Sequence, residues 1–96
     1  MKPIEIFYYV NLFDVEQILT VRYAPGREEY IHTTIETAPA YLAEYAIKEN
    51  RQYKIYLSGL QEYQLLPIKE QILEEVAVYY GADYAGVEVE IIWDIY

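Results

Sequence analysis

Few side chains in this chain are arranged to do covalent chemistry. His32 is the only histidine among 96 residues and there is no cysteine. A Ser/His/Asp triad or a His-rich metal site therefore finds no second member, and thiolate chemistry, disulfides and Cys-based zinc sites are excluded. With Thr33 and Thr34 beside it, His32 reads as a strand-face histidine. Ser58-Gly59 follows an apolar run, at the end of a strand where α/β folds bind ligands. Neither a G-x-G-x-x-G pattern nor a P-loop lysine accompanies it, so it reads as a turn. The carboxylates Glu62, Asp83 and Asp94 fall near the ends of expected elements, where a cleft would open for acid/base work. Exposed acids of this kind are usually solvated charges. No catalytic, cofactor-binding or metal residue is assigned, and no cofactor is expected.

A different chemistry is better represented. Thirteen residues are tyrosine and the formal net charge is -9. Tyrosine pairs a rigid apolar body with a polar tip and is enriched in protein interfaces. A negative field draws basic partners and repels nucleic acid and anionic lipid.

The length suits one domain with one core. A hydrophobic content of 54% with 24% charged residues is globular composition. No run of about 18 apolar residues is present and MKPIEIFYYV does not have the form of a signal peptide, so a cytoplasmic protein without membrane contact is expected. Acid usage dominated by Glu, with abundant Ile and Tyr, leans toward a thermophile, although only four Lys accompany it.

The elements that must position these residues follow from periodicity. Residues 4 to 10 and 17 to 23 are β-branched and aromatic runs. Pro25-Gly26 turns the chain into 29 to 36, predicting an antiparallel meander. Leu19, Val21 and Tyr23 share one face of the second strand, and Ile31, Thr33 and Ile35 one face of the third. Thr37 is placed as an N-cap with Pro39 in the first turn. Ala38, Tyr41, Leu42, Tyr45 and Ala46 then recur at helical spacing to about Asn50. Gln52 to Leu57 predicts a fourth strand. After a loop from Leu60 to Leu66, Pro67 is expected to open a second helix, with Ile68, Ile72, Val76 and Tyr79 as its stripe and Gly81 as its stop. Val87 to Ile95 alternates, with Val87, Val89, Ile91, Trp93 and Ile95 inward. The expected core includes Trp93, Ile91, Val89, Ile55, Leu57, Leu42, Ile72 and Val76.

The fold class is therefore α+β, a single domain over residues 1–96 with a five-stranded mixed sheet in the order β-β-β-α-β-α-β. Helical crossovers imply parallel neighbours among the late strands. This order resembles a minimal ribonuclease H-like core. Members of that family that cut nucleic acid place acidic metal ligands on the first strand, the first helix and the fourth strand. The resemblance maps these to Glu5 and to Glu44 or Glu49, while IYLSGL offers no acid, so the ligand set is incomplete.

Acids and aromatics coincide toward the C-terminus. Glu88, Glu90, Asp94 and Tyr96 point one way along the last strand, Glu70, Glu74 and Glu75 lie on the second helix, and Tyr79, Tyr80 and Tyr84 bracket its end. These ten residues are the expected partner-binding set. The expected function is a small acidic, non-enzymatic binding protein for a basic protein partner, with the profile of viral or mobile-element inhibitors that imitate nucleic acid, and without direct nucleic-acid binding. The alternatives are a homo-oligomeric module, such as a homodimer through an edge strand, and a metal-dependent hydrolase on a degenerate ribonuclease H-like core.

Overall fold

The protein is described by a computed structural model covering residues 3–49, 52–81 and 83–92. Its elements are β1 (Ile4–Tyr9), β2 (Glu16–Ala24), β3 (Arg27–Thr34), α1 (Ala38–Glu49), β4 (Tyr53–Ser58), α2 (Glu62–Tyr80) and β5 (Val87–Ile91). They form one mixed sheet in the order β3-β2-β1-β4-β5. The first three strands are the antiparallel meander, and β1/β4 and β4/β5 run parallel, as helical crossovers require.

Alternation decides which face of the sheet is covered. Ile4, Ile6 and Tyr8 on β1, Leu19 and Val21 on β2, Tyr53, Ile55 and Leu57 on β4, and Val87 and Val89 on β5 are all buried. Ala38, Leu42 and Ala43 of α1 and Leu65, Ile72 and Val76 of α2 complete the same cluster. Both helices thus lie on one face. The intervening strand residues form a second face that no helix covers: Glu5, Phe7, Tyr9, Ile18, Thr20, Arg22, Lys54, Tyr56, Glu88 and Glu90.

Four details differ from the sequence expectation. The second helix begins at Glu62, five residues before Pro67. The Gln64 side chain accepts from the Gln61 amide (3.1 Å), and Leu65, whose amide donates to the Gln61 carbonyl (3.1 Å), is buried in the core. Pro67 removes only the donor for the carbonyl of Tyr63, an exposed residue, so a proline inside the helix is tolerated there. Tyr79 is exposed instead of belonging to the buried stripe. Tyr80, four residues beyond Val76, packs on the core in its place. Within α1, which packs chiefly against α2, the inward residue beside Leu42 is Ala43, while Tyr41 is exposed. Ile91 is half-buried, at the end of an edge strand. The side chains of Ala46 and Glu49, and all of Asn50, Trp93, Asp94, Ile95 and Tyr96, lie outside the described residues.

Gly59 makes the turn from β4 to α2 possible. Its φ is 99°, and a Cβ there would sit 2.6 Å from the Val10 carbonyl oxygen, so backbone meets backbone where only glycine fits. Gly81 ends α2 with φ 94° and donates its amide to the Ala77 carbonyl (2.8 Å).

Candidate functional site

Register assembles the uncovered face row by row. Glu28, Arg22, Glu5, Lys54 and Glu88 lie across the five strands, followed by Tyr30, Thr20, Phe7, Tyr56 and Glu90. Phe7 and Tyr56 stack at 4.9 Å between centroids. Arg22 lies over Phe7 at 5.0 Å and Lys54 over Tyr56 at 5.2 Å. Arg22 pairs with Glu28 (3.0 Å), Lys54 with Glu90 (3.2 Å), and Tyr56 donates to Glu5 (3.1 Å). The hydrogen bond that Lys54 donates to Glu90 raises the Lys54 pKa, with Tyr56 adding to it. Desolvation first, then the bond to Glu5, raises that of Tyr56. A shallow groove of about 600 Å³ runs over Glu5, Arg22, Lys54 and Tyr56 beside the Pro25-Gly26 turn. Two of the four carboxylates in these rows, Glu28 and Glu90, are paired with the cations Arg22 and Lys54, and Glu5 accepts from Tyr56.

The structure divides the expected partner-binding residues. Glu88 and Glu90 are exposed on the uncovered sheet face, whereas Glu70, Glu74 and half-buried Glu75 belong to the helical layer on the other side. Tyr80 and Tyr84 stack on each other at 4.0 Å and pack against the core. Burial, then the neighbouring Tyr84, raises the Tyr80 pKa. Tyr79 alone of the three stands clear in solvent. Asp94 and Tyr96 lie outside the described residues. Glu70 and Glu74, one turn apart on α2, have no ion-pair partner among the described residues, and the last turn of the helix holds no basic residue.

The candidate chemical groups stay apart. Among the described residues no cluster of three or more His, Asp or Glu could hold a metal ion. Glu5 faces the uncovered sheet side, bonded to Tyr56. His32 meets Glu16 through its Nδ1 on the exposed side of β2 and β3, and Glu62 and Asp83 are exposed. No helix of the described residues is long and apolar enough to cross a membrane.

One further site escaped the sequence reading. The β1–β2 connection, Asn11 to Val15, is built around the side chain of Gln17, which is 1% exposed. Its Nε2 donates to the carbonyls of Asn11 (2.7 Å) and Asp14 (2.8 Å), and its Oε1 accepts from the Asn11 amide (3.0 Å) and the Tyr8 hydroxyl (3.3 Å). The Asn11 side chain accepts from the Phe13 amide (2.9 Å) and donates to Asp14 (2.9 Å), an Asx-type turn. The apolar pair Leu12-Phe13 inside a turn bounded by Asn11 and Asp14 was a legible signal. The role of Gln17 was not: alternation with Leu19 and Val21 turns it inward, but its partners in the loop are set only by the fold.

Compared with protein-family models and with curated proteins, the chain matches none.

Proposed function

We propose that this chain is a non-enzymatic binding protein whose acidic helical surface engages a basic protein. The observation that carries the reading is the pair Glu70 and Glu74, exposed one turn apart with no ion-pair partner among the described residues. Like charges at this spacing destabilise a helix by ~0.2–0.5 kcal/mol. A contact that uses the charge would offset that cost, and exposed Tyr63 and Tyr79 supply aromatic surface at the two ends of the same helix. In its narrower form the proposal holds that these carboxylates imitate nucleic-acid phosphates and occupy a basic nucleic-acid-binding site. DNA or RNA would then compete with the chain for its partner.

The test begins with capture of the partner from the native host and its identification by mass spectrometry, followed by binding kinetics at low salt. Reversing Glu70→Lys and Glu74→Lys together should slow association at least about tenfold, because exposed charges act mainly on the on-rate, and should leave the thermal midpoint unchanged or higher. An unchanged association rate would refute the acidic-surface reading. A second reading, a homo-oligomeric module, draws on β5, which pairs only with β4 among the described residues. Its five residues carry Glu88 and Glu90, and short charged edges resist strand pairing, so it ranks below the first. Sedimentation of the chain as a concentration-independent monomer would remove it.

A further inference from the structure

We infer that the β1–β2 loop is an anchor that inserts Phe13 into an apolar pocket of a protein partner whose pocket is rimmed by basic residues. Phe13 is 99% exposed, Val15 82% and Leu12 56%. Three apolar side chains in five residues are thus held in water. A floppy loop could fold them back, but this one is fastened from beneath by Gln17, three of whose four hydrogen bonds hold Asn11 and Asp14 while the fourth accepts from Tyr8, and from within by Asn11. A nearly fully buried polar side chain bonded throughout is costly to install. Here its effect is to keep Phe13 outward, and such preorganisation lowers the entropy lost on docking.

The apolar surface continues beyond the loop. Tyr9 and Ile18, each one residue beyond the paired Tyr8 and Leu19 toward the turn, lie on the uncovered sheet face, and both are exposed. With the loop they add apolar surface to this end of the sheet, beside the Glu16–His32 pair. An exposed patch of this kind marks an interaction site.

Charge selects the occupant. Asp14, which accepts from the Asn11 side chain, and Glu16, which meets His32, flank Phe13 and Val15, and the chain carries a net charge of -9. Anionic lipid surfaces repel such a loop. A second copy docked symmetrically through it would bring the same two acids against their equivalents. A protein surface with an apolar pocket and a cationic rim satisfies both the ring and the acids. Only the basic character of the partner rests on the function proposed above; the pocket and its occupant are argued from the loop itself.

The experiment places a benzophenone amino acid at position 13 of the full chain in its native host, with a control at position 27, the first residue of β3 at the opposite end of the sheet. Irradiation should yield one discrete protein adduct from position 13 and none from position 27. The purified adduct protein is then titrated against the parent, Phe13→Ala, Phe13→Leu and the Glu70→Lys/Glu74→Lys double variant. Phe13→Ala should weaken binding about 30-fold or more, as expected for an aromatic anchor, with Phe13→Leu intermediate and neither changing thermal stability. An absent adduct, an adduct to lipid or to a second copy of the chain, or unchanged affinity of Phe13→Ala overturns the inference. Loss of affinity confined to the double variant leaves the acidic helix as the contact and removes the loop. Loss confined to Phe13→Ala keeps the loop and removes the helix.

Discussion

Replacing Gln17 by leucine removes the fastening of the β1–β2 loop while keeping a side chain of similar size in the same space. Four groups then lose their partner: the Tyr8 hydroxyl, the Asn11 amide and the carbonyls of Asn11 and Asp14. They are not equally costly. Asp14 is exposed and Asn11 half-exposed, so water can reach the two carbonyls once the loop relaxes. Tyr8 is 1% exposed, and its hydroxyl, with the inward-facing Asn11 amide, has no such recourse. Leaving a buried polar group unsatisfied costs ~1–3 kcal/mol. With leucine recovering part of this through apolar burial, Gln17→Leu should lose about 2–4 kcal/mol, a large share of the ~5–15 kcal/mol that holds a domain of this size. The thermal midpoint should fall by roughly 10–25 °C, and amides 11 to 17 should lose hydrogen-exchange protection before the rest of β1 and β2. Gln17→Glu should be worse at neutral pH, because a buried carboxylate would face the two carbonyls that Nε2 now serves, and should recover in part on acidification as the acid regains a donor. Chemical denaturation at constant m measures both. A Gln17→Leu variant within about 0.5 kcal/mol of the parent would refute this account of the loop, and with it the argument that Phe13 is presented by a rigid support.

Burial pushes the Tyr8 hydroxyl from 10.0 up to about 12. The unfolded chain therefore releases this proton near 10 while the native state holds it. Its contribution to stability is complete below about pH 10 and is lost as pH rises toward 12. Urea midpoints measured across that window should fall less steeply for Tyr8→Phe than for the parent, and parallel slopes would count against a buried Tyr8. Gly59→Ala should destabilise by at least about 2 kcal/mol, since a positive φ penalises any side chain and the new Cβ would press on the Val10 backbone at 2.6 Å. By contrast Gly26→Ala, with φ 80° and open space around it, should cost only ~1 kcal/mol; equal losses in thermal melts would contradict the close approach at Gly59. Ile72→Ala, in the middle of the buried face of α2, should cost ~2–5 kcal/mol, and a midpoint within a few degrees of the parent would displace it from the core.

Local periodicity was enough to order the elements, because alternation in β2, β4 and β5 and helical spacing in α1 and α2 each follow from the side chains of one segment. It was also enough to name Val89, Ile55, Leu57, Leu42, Ile72 and Val76 as core, all of which are buried. Where a local signal misled, a distant contact had overridden it. Pro67 looked like a helix start, but burial of Leu65 carries the first turn of α2 past it. Tyr79 looked inward by spacing, but the core sits under Tyr80. The acids of α2 and β5 read as one surface in a one-dimensional chain. In the folded protein Val87 and Val89 must face the helices, so the pleat turns Glu88 and Glu90 to the opposite side, away from Glu70 and Glu74. The sheet order likewise decided that Arg22, Lys54, Glu28 and Glu90 would cancel one another across four strands. The alternation of β2 puts residue 17 on the same face as Leu19 and Val21, but its partners, backbone groups three and six residues away and the Tyr8 hydroxyl nine away, come within reach only when the hairpin closes over the core.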